Sequence, residues 1–242
     1  MQNSLLLGGA GDNQILLDAA MANHHGLITG ATGTGKTVTL QLLAESFSRL
    51  GVPVFAADIK GDLSGVAIAG REHPKITERI DAIRIEGHSF EGCPVLFWDV
   101  EGKKGHSVRT TLSEMGPVLL SNLLELNETQ EGILHIAFAL ADDQGLLLLD
   151  LKDLRAMLNW MSDNRKDLER EYGRVSSQSV TAILRRLLVL QEAGGDTFFG
   201  EPALRIEHLL QRDFSGRGVI SLLDATTLYN NPRIYATFLP WL

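Results

Sequence analysis

Residues 30–37 read GATGTGKT, which satisfies G-x-x-x-x-G-K-[ST] at every fixed position: Gly30, Gly35, Lys36 and Thr37. Each residue type answers a demand made by a row of phosphates. Glycine at 30, 33 and 35 lets the backbone take positive φ and brings N–H groups up to phosphate oxygens with no Cβ in the way. Lys36 brings a mobile point charge to the β and γ phosphates, and the Thr37 hydroxyl is placed to ligate Mg²⁺. Ala31, Thr32, Thr34 and Val38 add backbone to the same cradle. A helix that starts near Gly35 adds unpaired N–H groups and the positive end of its dipole. The chemistry indicated is the binding of nucleotide phosphates with Mg²⁺.

Hydrolysis asks for more: an acidic residue behind the metal and a group that orients the attacking water. Four acids stand at the ends of apolar runs: Asp58 in FAAD, Asp99 in LFWD with Glu101 nearby, Asp150 in LLLLD and Asp224 in SLLD. None belongs to an adjacent Asp-Glu pair. For the last three the expectation is an ordinary polar residue leaving a strand, where Asp is common. DIKG at 58–61 and DLSG at 62–65 fit the D-x-x-G of a GTPase, but the guanine-reading N-K-x-D is absent, and NRKD at 164–167 lies in a polar helical run. A small-molecule kinase would need lid arginines and an acceptor site that are not readable. A non-catalytic module, in which nucleotide orders a helical segment for a partner, stays open.

The remaining candidates read as structural. His24 and His25 lack further ligands at metal spacing, with Cys93 the single cysteine. Cys93 has no histidine constellation around it and reads as a small core residue. RKDLERE at 165–171 is a solvated helix face of mixed sign, RRLL at 185–188 holds local positive charge, and Arg217 and Arg233 read as surface residues.

A phosphate loop has to be carried by a strand and a helix. HHGLITG predicts a short buried strand closed by Gly30. KTVTLQLLAESFSRLG predicts a helix, with Leu40, Leu43, Phe47 and Leu50 at helical spacing and Gly51 at its C-terminal cap. VPVFAAD, residues 52–58, predicts a strand covered on both faces. This βαβ order sets the class as α/β. PVLFWDV predicts a third strand at 94–100. From about 107 to 193 the pattern turns helical, in TLSEMGPVLLSNLLEL, ETQEGILHIAFALA, LKDLRAMLNWM and SVTAILRRLLVLQEA, with Asn127 and Gln130 as a capping box. In the last of these Val180, Ile183, Leu184, Leu187 and Leu188 make one apolar stripe. GVISLLDA returns to strand, and NNPRIYATFLPWL predicts a helix with Asn231 as cap and Pro232 in its first turn. The expected organisation is 1–106 as the first part of a core, 107–200 as a helical insertion and 201–242 as the return to the core.

Of the 242 residues, 44% are hydrophobic and 21% charged, as in a soluble globular protein, and one large core is expected. The apolar runs are too short to span a membrane. One cysteine and no secretory signal point to the cytoplasm. A net charge of −8 is not that of a chain that coats nucleic acid.

HHGLITGATGTGKTVTLQLLAESFSRLGVPVFAADIKGDLSG, GHSVRTTLSEMGPVLLSNLLELNETQEGILHIAFALADDQGLLLLDLKDL, GGDTFFGEPAL and PRIYATFLPWL together resemble the bacterial HerA-like helicases of the FtsK and HerA class, over roughly residues 5–242. The resemblance implies a P-loop NTPase with a RecA-like three-layer core, a mostly parallel sheet and a helical insertion. It implies ATP with Mg²⁺, a homo-oligomeric, hexameric ring, and DNA as a partner. It puts Gly30, Gly33, Gly35, Lys36 and Thr37 at the phosphates and Asp58 near the nucleotide. Two departures qualify it. The family carries its Walker B strand downstream of the helix that contains YATF, so the core is expected to be incomplete at its C-terminus and to bind ATP with impaired hydrolysis. Pro240 also falls inside that helix, where it removes a backbone hydrogen bond.

Overall fold

The computed structural model describes residues 4–10, 13–226 and 241. The helix expected over 230–242, with Asn231, Pro232, Arg233 and Pro240, lies outside these residues except for Trp241.

In chain order the elements are β1 (Ser4–Ala10), β2 (Asn13–Asp18), α1 (Lys36–Arg49), β3 (Val54–Asp58), α2 (Pro74–Ile83), β4 (Val95–Asp99) and β5 (His106–Ser107). There follow α3 (Leu112–Leu124), α4 (Glu128–Asp143), α5 (Leu151–Asp163), α6 (Arg165–Leu168), α7 (Ser177–Leu190), α8 (Asp196–Phe198), α9 (Ile206–Leu209) and β6 (Ile220–Asp224). The described residues divide into two compact units, one within 4–98 and 205–226 and the other within 99–204.

The four-stranded sheet has the order β3-β6-β4-β5. β3 and β6 run parallel, in register from Val54 beside Ile220 to Asp58 beside Asp224, so two carboxylates share one strand end. β6 is buried along Ile220, Ser221, Leu222 and Leu223, which explains its unbroken apolar run. In the first unit Val66, Ile220 and Leu222 form a core against Ala44, Val54, Ala56, Leu63, Cys93 and Val95.

α1 ends as its sequence predicts. Gly51 takes φ 77°, its N–H donates to the Ser48 carbonyl, and the Val52 N–H donates to the Phe47 carbonyl, both at 2.9 Å. Those paired bonds are a Schellman motif. The helix is then tied to the start of β6: the buried Ser48 hydroxyl donates to the Gly218 carbonyl at 2.6 Å, and the Gly218 N–H returns to the Ser48 carbonyl at 2.8 Å. A Cβ at 218 would stand 2.1 Å from the Val52 carbonyl oxygen, so only glycine permits this approach.

Two expectations fail in this unit. HHGLITG forms no strand: 25–31 carry no ladder, and Leu27 is 88% exposed. A strand exists through its partner's backbone groups, and among the described residues no strand pairs with this segment. Conversely, β1 and β2 form an antiparallel hairpin that the sequence pattern does not announce. Gly8 and Gly9 weaken the strand signal, and Gly9 is there because Ile83 of α2 packs on its backbone, 2.8 Å from where a Cβ would sit.

The second unit is helical. Leu112, Leu120, Leu134, Leu151, Leu154, Leu158, Met161, Ile183 and Leu187 are all fully buried within it. Asn127 and Gln130 make the expected capping box, with Oδ1 of Asn127 accepting from the Gln130 N–H at 3.0 Å and Oε1 of Gln130 from the Asn127 N–H at 3.1 Å. α3 departs from a single straight helix: Gly116 sits at φ 75°, ψ 167°, because Pro117 has no N–H and drives the residue before it out of the helical region. Asp150 closes no strand; it caps α5 through bonds from the Lys152 and Asp153 N–H groups.

Candidate functional site

The glycine loop is formed as a loop. Gly33 and Gly35 hold φ of 82° and 92°, where a side chain is strained, and Gly30 is closed to a Cβ by the Thr34 hydroxyl 2.5 Å away. The Thr34 hydroxyl donates to the Ala31 carbonyl at 2.8 Å and fixes the turn. Gly35 leads directly into α1, and no side chain caps that helix. Its first amides therefore lack both intrahelical acceptors and a side-chain acceptor. α2, α3, α4, α5 and α7 are each capped by a side chain, from His73, Thr111, Asn127, Asp150 and Ser176.

The Lys36 ammonium lies back over the loop and donates to the Gly30 and Ala31 carbonyls, each at 2.7 Å. Thr37 is half-buried one residue on, Val38 is 64% exposed, and Ala31, Thr32 and Thr34 are exposed with them. The structure thus brings 30–38 together as one open turn with its cation inside and its amides at the helix start uncommitted. This fits a polyphosphate: the backbone approach is clear, a charge is at hand, and the uncapped amides lie at the N-terminal pole of a fourteen-residue helix.

Asp58 stands at the end of β3, 8% exposed, with every face of its carboxylate engaged. Oδ1 accepts from the N–H groups of Lys60 (3.2 Å), Gly61 (2.8 Å) and Asp62 (3.1 Å), and Oδ2 from Leu63 (2.8 Å). The turn it holds is tied to α1, because Gln41 Nε2 donates to the Asp62 carbonyl at 2.9 Å. Thr37 and Gln41 are one turn apart on the same face of α1. The other strand-end acids behave alike: Asp99 accepts from the Glu101, Lys103 and Lys104 N–H groups, and Asp224 from the Thr226 N–H. The Gln41 link is what sequence reasoning missed, and a glutamine one turn beyond Thr37 was its only signal.

The lesser candidates settle into structural places. Arg217 pairs with Glu91, whose carboxyl is held below its usual range chiefly by that hydrogen bond, and also donates to the Gly92 carbonyl. Cys93 is half-buried in the core of the first unit, where burial pushes its thiol up. Among the described residues no group of His, Cys, Asp and Glu is placed to hold a metal, His24 and His25 included, and no helix is long and apolar enough to cross a membrane.

An α/β core with a glycine loop leading into its first helix defines the RecA-like class of P-loop fold. A search of curated proteins finds no match to this chain. The chain belongs to the helicase HerA-like C-terminal family, whose model matches residues 3–242. That family is one of ATPase and translocase-related domains.

Proposed function

We propose that this chain binds Mg-ATP through a Walker A loop at 30–37. One observation carries the reading: among the long helices of the described residues α1 alone starts without a side-chain cap, behind two left-handed glycines, with Lys36 resting on carbonyls it can leave. Backbone groups of Gly30, Ala31, Thr32, Gly33, Thr34, Gly35 and Val38 would line the phosphates. Lys36 would carry the neutralising charge, and the Thr37 hydroxyl would hold Mg²⁺, which supplies further charge neutralisation when bound. Asp58 serves the same site as a positioning residue, holding the 60–63 turn that Gln41 ties to the face of Thr37. Asp58, Asp99 and Asp224 are all engaged by neighbouring amides, which supports binding with weak turnover, in the manner of a nucleotide-dependent interaction module. We assign 1–106 and 201–242 to the nucleotide core and 107–200 to a helical insertion. Family membership supports a homo-oligomeric, ring-forming, DNA-directed setting in the cytoplasm.

Saturation with Mg-ATP at a hundred times the dissociation constant adds about 2.7 kcal/mol of stability, or roughly 5–10 °C in melting temperature for a chain of this size. A thermal scan of the wild type and Lys36→Ala tests this. The full shift is expected in the wild type and a much smaller one in the variant; equal shifts would sink the assignment. Brisk ATP hydrolysis abolished by Lys36→Ala would keep the site and overturn weak turnover.

A further inference from the structure

The helical unit carries two exposed apolar features that match each other. The first is a groove of about 690 Å³ between the end of α4, the 144–148 segment and α5, lined by Leu140, Leu146, Leu147, Leu148, Met157 and Trp160. Leu147 is 70% exposed and Trp160 49%, while Leu140, Leu148 and Met157 are buried at its floor, so the groove opens to solvent at Leu147 and Trp160. Its margin is acidic: Asp153 lines it, and Asp143 stands one helical turn from Leu140.

The second feature is a ridge on α7. Val180, Ile183, Leu187 and Leu190 bury one side of that helix, and Thr181, Arg185, Leu188 and Val189 stand on the other, with Leu188 49% and Val189 61% exposed. Arg186, beside the ridge, is paired with Glu125 at 3.3 Å; Arg185 makes no ion pair among the described residues.

Ridge and groove cannot meet within one molecule. α5 faces α7 through Arg155, which donates to Gln191 at 2.7 Å, and through Ser162, against Ser177. At about 100° per residue, the groove residues Asp153, Ala156 and Trp160 lie roughly 140° around α5 from that side. An apolar groove with an acidic margin and an apolar ridge with an unpaired arginine, on separate faces of one unit, are the two halves of a head-to-tail contact.

We propose that the groove of one molecule receives the Arg185–Val189 ridge of a second copy of this chain, with Leu188 and Val189 entering beside Leu147 and Trp160 and Arg185 facing Asp143 and Asp153. The contact deepens the self-assembly proposed above and does not involve the nucleotide loop.

Single cysteines test it, in the full chain with Cys93→Ser. Leu147→Cys mixed with Val189→Cys is expected to give a disulfide-linked dimer under mild oxidation, well above a control mixture of Leu147→Cys with Ile206→Cys. Arg185→Glu should weaken association in sedimentation by at least roughly tenfold, through like-charge contact with the acidic margin. The proposal is overturned by a 147–189 yield no greater than the control, by a dominant 147–147 link, which would mean a two-fold contact, or by a monomer at every concentration. A different protein or a small apolar molecule in the groove would give the first of these results. The same mixture carrying Lys36→Ala should link equally well, so loss of nucleotide binding and loss of this contact are read separately.

Discussion

Two loops in the first unit use the same backbone device in opposite states. The turn after β3 gathers the amides of Lys60, Gly61, Asp62 and Leu63 around a carboxylate of its own, Asp58. The loop before α1 gathers glycines and helix-start amides that no side chain among the described residues caps, and its one charge, Lys36, is a cation satisfied by carbonyls. A turn that supplies its own anion is closed and structural. On the reading proposed above, a turn that supplies only a cation and uncommitted amides takes its anion from elsewhere.

The sharpest way to break this contrast is to remove the two charges. Lys36→Ala should leave the fold intact and cost nucleotide binding about 1.5–3 kcal/mol, the worth of hydrogen bonds to a charged group, or roughly 10- to 150-fold in affinity by calorimetry. Asp58→Ala should fall mainly on the fold and only slightly on binding, through the 60–63 turn that Gln41 ties to the face of Thr37. With four amides left without their acceptor, three of them on exposed residues that water can reach, it should lower unfolding stability by roughly 1–3 kcal/mol in denaturant melts, whether or not nucleotide is present. Equal effects of both variants on binding alone would erase the distinction.

A smaller effect comes from the backbone. Gly35→Ala places a Cβ at φ 92°, which should cost about 1–2 kcal/mol of stability and weaken nucleotide binding as well, since the strained residue sits in the cradle. The smallest calibrates the rest. Asn127→Ala removes a neutral side-chain cap in the helical unit and should cost about 1 kcal/mol, with no change in nucleotide affinity. A larger loss there than at Asp58 would mean that the 60–63 turn contributes little to the fold.

Much of this was legible in the sequence because the signals are local. The glycine loop, the Gly51 cap and the Asn127 capping box each depend on residues within one turn, and each forms as its spacing predicts. What was not legible depends on distant partners. HHGLITG has the composition of a buried strand, but composition supplies no neighbour, and the segment stays unladdered with Leu27 in solvent. β1 hides behind two glycines, of which Gly9 has its reason in Ile83, some seventy residues away. LLLLD looks like a strand ending in an acid, yet its aspartate starts a helix, since the same residue type serves both boundaries. At the end of β3, Asp58 was readable as a strand-end acid, but its four amides and the Gln41 link through Asp62 were not.

Amide hydrogen exchange with and without saturating Mg-ATP tests the contrast most directly. The account predicts that the amides of Gly33 through Val38 gain protection on adding nucleotide, while those of Gly61 and Leu63, already bonded to Asp58, exchange slowly in both conditions. Unchanged exchange across 33–38, or new protection confined to 60–63, would contradict it.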